Sequence, residues 1–171
     1  MRKIKRRWLT LFFTAPIDLT IAWPAVIVAN WLWGRGLRWE ERFVLTTEFG
    51  RTRMPSWFKV NGSTCGHAVF YAPGYRSPSG SPWTRTQHHE HVHVEQFEGW
   101  SIAGFLLGAA ACVLGASPWI GAAIWWGSAP AVWCGYSLAA LLRGEDHYWG
   151  AAHEEAAYAL TNHLGHEPNR K

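Results

Sequence analysis

Apolar and polar positions along the chain fall into blocks. Residues 99–142 form a run of 44 without one charged side chain. As continuous helix that run is about 66 Å long, roughly twice the ~30 Å hydrocarbon thickness of a bilayer. Gly115-Ala116-Ser117-Pro118 punctuates it near the middle. The pattern therefore predicts a transmembrane helical hairpin, about 101–116 and about 119–142. An earlier apolar run, 8–33, is interrupted by Pro16, Asp18 and Pro24. It predicts an N-terminal apolar helix in contact with the membrane, those three residues marking a break. Between the two lies a polar segment, 35–98. It has strand-like alternation at 42–47 and 60–71, Gly/Pro clusters at 71–74 and 77–82, and a helix-compatible run at 84–97 capped by Thr84 or Thr86. The tail carries another helix-compatible run, 148–164. The expected fold class is α+β. Its parts are a basic N-terminus and apolar helix (1–34), a small head with a few strands and an active-site helix (35–99), the inserted hairpin (100–142), and a last helix and tail (143–171).

Composition sharpens this picture. Charged residues are 16% of the chain, against about 25% in a typical soluble domain. Intrinsic disorder is excluded, because it needs high charge and few aromatics, and 15% of the chain is aromatic. Three Cys do not make a disulfide scaffold, and Cys112 and Cys134 sit in apolar runs as small hydrophobes. Arg2, Lys3, Lys5, Arg6 and Arg7 give a basic start before the first apolar run, the pattern of a signal anchor. The expected contact is lipid headgroups. Nothing resembles a nucleic-acid reading head, so no nucleic-acid partner is expected. Localisation in or tightly on a membrane follows. Gly104 and Gly108 form a GxxxG spacing for close helix approach, and Trp100, Trp119 and Trp133 fit interface anchors.

One motif carries chemistry: His89-Glu90-His91-Val92-His93, an HExxH. On a helix the two His at i and i+4 share a face and can bind one Zn²⁺. Glu90 then lies beside the open position, where it can act as general base toward an activated water. His88 and His91 offer other pairings, but only the His89/His93 pair gives Glu90 a role. A catalytic zinc needs a third protein ligand. The tail supplies Glu154 as first choice, with Glu155, His91 and His153 as alternative ligands. Tyr158, one turn after Glu154, and His147 are candidates to polarise a substrate carbonyl. A hairpin of two passes returns the chain to the side it left, so His93 and Glu154 can meet across it.

The segment 61–75, with Thr64, Gly66, Val69, Phe70 and Tyr71 before a Pro/Gly loop, precedes His89-Glu90-His91-Val92-His93-Val94-Glu95-Gln96. This resembles the zincin-like domain of unknown function found in toxin cores of extracellular contractile injection systems. That family has a Thr-x-Gly-x-x-Ile-x-Phe strand and then HExxHxxQ. Glu154, Ala157 and Tyr158 are similar to the Glu-x-x-Ala element of gluzincins. The resemblance implies a zinc metallopeptidase fold with His89, His93 and Glu154 as metal ligands and Glu90 as general base. It covers about a third of the chain. His91 stands at a usually apolar position, and the long apolar insertion is not the family's pattern.

The reading that follows is a membrane-associated zinc-dependent metallopeptidase acting on a peptide or protein substrate. Two alternatives compete with it. One is an inactive zincin-like membrane protein with a structural or partner-binding role, its metal closed by a fourth protein ligand. The other is a membrane di-iron oxidoreductase using His88, His89, His91, His93, His147 and His153.

Overall fold

A computed structural model describes residues 2–51, 60–146 and 150–161. The chain is helical from Arg2 to Trp33, as α1 (Arg2–Ile17), a π-helical turn (Asp18–Ala22) and α2 (Trp23–Trp33). Pro16, Asp18 and Pro24 therefore do not break the first apolar run. Pro24 follows the π-helical turn at the start of α2, where the helical hydrogen-bond ladder already changes register. Asp18 is wholly buried, and a buried carboxylate needs a partner. That partner is His67, whose backbone N–H donates to Asp18 Oδ1 (2.8 Å) and whose Nδ1 lies 2.8 Å from Oδ2. The other face of the same imidazole meets Glu98, Nε2 to Oε1 at 3.2 Å, and Thr14 Oγ1 is 3.0 Å from Nδ1. The two carboxylates more than offset the effect of burial and raise the His67 pKa to about 9. The imidazolium thus joins the first helix, a β-hairpin turn and the long helix that carries Glu98.

Strand β1 (Gly34–Trp39), absent from the sequence expectation, follows α2 directly. With β2 (Leu45–Phe49), β3 (Gly62–Cys65) and β4 (Ala68–Tyr71) it makes a mixed sheet of order β1-β2-β4-β3. The pairs β1/β2 and β3/β4 are antiparallel and β2/β4 is parallel. The alternation at 60–71 splits at Gly66, whose φ of +55° makes the β3–β4 turn. A side chain there would also strike Asp18 (Oδ1 at 2.5 Å). α2 packs on the sheet through Ala29, Phe49 and Ala72.

The long helix α3 (Arg85–Val113) opens with a capping box. Thr84 Oγ1 accepts from the Gln87 N–H, and the Gln87 side chain accepts from the Thr84 N–H. The helix does not end where the polar head was expected to end. It runs through 97–101 without interruption, so one element carries both the HExxH and the first arm of the hairpin. α4 (Pro118–Leu142) returns alongside it, capped by Ser117. Gly104, Gly108 and Gly121 face the contact, where a Cβ at Gly104 would collide with Ser128 and one at Gly108 with the Gly121 carbonyl. Trp125 and Trp126 tie α4 to the first helix. Their indole N–H groups donate to the Phe13 carbonyl (2.9 Å) and to Thr20 Oγ1 (3.2 Å), satisfying donors in an apolar setting. Two segments, Thr10–Trp33 and Arg85–Val113, are long and apolar enough to cross a membrane. α5 (Ala152–Thr161) then packs back on α3.

Candidate metal centre

The two His of the HExxH and one carboxylate from α5 converge. His89 Nε2 lies 3.1 Å from Glu154 Oε2, His93 Nε2 lies 3.3 Å from Glu154 Oε1, and the two Nε2 atoms are 3.1 Å apart. All three residues are buried, and among the described residues they are the one His/Cys/Asp/Glu group placed to hold a metal ion. α3 supplies the first two because i and i+4 share a helix face. α5 supplies the third because its apolar face, with Ala157 buried, turns Glu154 inward.

Gln96 ties the parts together. His93 Nδ1 is 2.8 Å from Gln96 Oε1, and Gln96 Nε2 donates to the His153 carbonyl at 3.0 Å. One amide thus holds the proton on His93 Nδ1, directs Nε2 at the cluster, and fixes the backbone next to Glu154.

Glu90 is buried beside the cluster and is not part of the triad. Thr64 Oγ1 donates to its Oε2 at 2.6 Å. Gly62 of the same strand has no room for a side chain, since a Cβ would collide with the Glu90 carboxylate. Burial raises the Glu90 pKa, with the charges of His93 and His89 and the Thr64 hydrogen bond opposing it. Glu154 is the reverse case. Burial pushes its pKa up, but hydrogen bonds from His89 and His93 win and hold it at about 2. His93 is lowered by burial and raised more by Glu154, for a net rise.

These directions set a pH dependence. A metal must displace the proton that Glu154 helps His93 keep, whereas Glu154 is ionised throughout the neutral range. Metal affinity should therefore rise with pH as His93 gives up that proton, level off once it has, and be accompanied by proton release on binding. Titration calorimetry in buffers of different ionisation enthalpy counts that proton. An affinity independent of pH between 6 and 8 would contradict the assignment.

The other sequence candidates fall elsewhere. Glu155 is exposed and lies within electrostatic reach of Arg143, not of the cluster; one helix position turns it about 100° away. His91 is corrected likewise. Its Nε2 lies 3.1 Å from Glu40 Oε2, and its ring packs 4.0 Å from Trp83. His153 is buried with its ring against Trp133 (4.3 Å), and its Nε2 approaches Glu154 Oε1 only to 3.8 Å. Burial lowers its pKa, so it stays neutral. His88 is exposed beside Trp83. The ring of Tyr158 lies 4.5 Å from that of His89, and burial, with Glu154 and Glu90, pushes its phenol pKa well up. His147 lies outside the described residues. The sequence reading missed Gly62, Glu40 and the Asp18–His67–Glu98 group. The only signal for the last was a charged residue inside an apolar run.

No family model matches the chain, and no curated protein and no solved structure matches it either.

Proposed function

We propose that this protein is a membrane-associated, zinc-dependent peptidase whose ligands are His89, His93 and Glu154. The carrying observation is the convergence of two imidazole nitrogens and one carboxylate at metal-ligand spacing. Tetrahedral zinc with bonds of about 2.0–2.1 Å has ligand atoms about 3.3 Å apart. Here the two Nε2 atoms are 3.1 Å apart, His89 Nε2 is 3.1 Å from Glu154 Oε2, and His93 Nε2 is 3.3 Å from Glu154 Oε1, so the carboxylate spans both imidazoles at that spacing. Two imidazoles and one carboxylate are the donor set of an open catalytic site. The fourth-ligand candidates His91 and Glu155 point away, which favours this reading over a closed structural site. Among the described residues no second group is placed to hold a metal, which weighs against the di-iron reading.

Zinc bound there would supply Lewis acidity toward a water and a carbonyl oxygen. The rest falls to the chain's own groups. Glu90 accepts a proton as the water oxygen bonds to the peptide carbonyl carbon. It returns that proton to the amine nitrogen as the C–N bond breaks. Burial raises its pKa above the ordinary carboxylate value, making it a stronger base, and Thr64 fixes one carboxylate oxygen. Tyr158, kept neutral, can donate a hydrogen bond to the substrate oxygen as negative charge develops there. Outward surfaces support the membrane part, since only 28% of each candidate span is buried in the protein. The test is Glu90→Gln, which should keep the metal and lose peptide hydrolysis.

A further inference from the structure

The metal cluster does not stand clear of the apolar helices. Trp133 of α4 lies 4.3 Å from the His153 ring and 5.3 Å from the His93 ring. Beyond Trp133, α4 runs on uncharged for nine residues to Leu142, about 13 Å of helix. Leu138, Leu141 and Leu142 are exposed on that stretch. The centre is thus flanked by an uncharged stretch of α4 with exposed leucines, although α4 itself is not one of the two segments apolar enough to cross a membrane by composition.

Depth follows from the packing. Phe13 meets Phe105 at 5.1 Å, while Asp18 reaches Glu98 through His67. α1 therefore runs antiparallel to α3, and its basic start shares an end with the hairpin turn. From that turn a layer of about 30 Å takes up about twenty residues of α3. Counting back from Val113, it ends near His93. Glu95, the last exposed charged residue on α3, lies at the same level. Exposed indoles fit the two edges, Trp119 (84% exposed) by the turn and Trp39 (56%), packed on Trp23, toward the sheet.

We infer that the centre works at the lipid–water boundary and that its substrate is the juxtamembrane segment of a membrane-anchored polypeptide. The substrate class rests on the peptidase reading; the depth does not. A chain anchored in the same bilayer arrives at this level already confined to two dimensions.

Cys134 is exposed and adjoins Trp133, whereas Cys65 and Cys112 are half-buried. A nitroxide on Cys134 of the full-length protein in phosphatidylcholine vesicles therefore reports the depth of the centre. It should relax strongly with oxygen and weakly with a water-soluble nickel chelate. The reverse would overturn the inference. If the other thiols also label, Cys65→Ser and Cys112→Ser remove them; should those variants not fold, the labelled Cys134→Ala chain gives the background to subtract. A second arm compares one peptide sequence, free in solution or placed next to a transmembrane anchor in the same vesicles. Cleavage of the anchored form should be faster by on the order of tenfold or more. Equal rates would overturn the substrate class. If the zinc-loaded protein cuts neither, the peptidase reading falls and takes the substrate class with it, while the nitroxide result still decides the depth.

Discussion

Glu90→Gln is expected to retain one zinc per chain and to lose peptide hydrolysis by about 10²–10⁴-fold, the usual contribution of a positioned general base. Glutamine has the same shape, and its amide oxygen can still accept from Thr64 Oγ1, so the contact with β3 survives. No ligand is touched, because the converging atoms belong to His89, His93 and Glu154. The substitution also removes an ionisable group from a buried position, so folding should not suffer. Metal analysis and a hydrolysis assay on the same sample separate the outcomes. Unchanged hydrolysis would remove Glu90 from the chemistry. Loss of metal would mean that Glu90 serves the site as a ligand.

His67→Ala is expected to destabilise the protein by about 3–5 kcal/mol, the cost of removing one partner from a buried ion pair. Asp18 would lose the cation that lets it stay inside the first helix. The effect has a sign in pH. The folded pKa of His67 is raised to about 9, above its ordinary value near 6.5. Its stabilisation is therefore complete below about pH 6.5 and is lost as pH rises through 9. The difference between wild type and His67→Ala should be largest at pH 6 and shrink toward pH 10, read by thermal unfolding in detergent. The folded fraction should still bind metal, since His67 touches none of the three ligands. A difference that grows with pH would contradict the ion-pair assignment.

The metal-ligand face of α3 was legible because its information is local. His89, Glu90 and His93 follow from helical spacing, and Thr84 from the capping box it makes with Gln87. Glu154 against Glu155 was also a local question, since adjacent helix positions point about 100° apart. Three features were not legible, each for a physical reason. α3 is continuous because nothing at 97–101 stops a helix; the change from polar to apolar there altered its surroundings, not its backbone. Asp18 read as a break because its partner His67 lies 49 positions away and Glu98 a further 31 from His67. Pairing across such separations leaves no periodic trace. Trp125 and Trp126 found acceptors on the first helix, more than 100 positions distant. The strand β1 was hidden by its three glycine, arginine and glycine positions at 34–36, which carry no alternation.

The central claim is that His89, His93 and Glu154 form one zinc site. It is tested most directly by the metal content of the purified full-length chain, measured beside His89→Ala. The account predicts one zinc per wild-type chain and a loss of most of it in the folded variant. Equal metal in the two proteins, or two irons per wild-type chain, would contradict it.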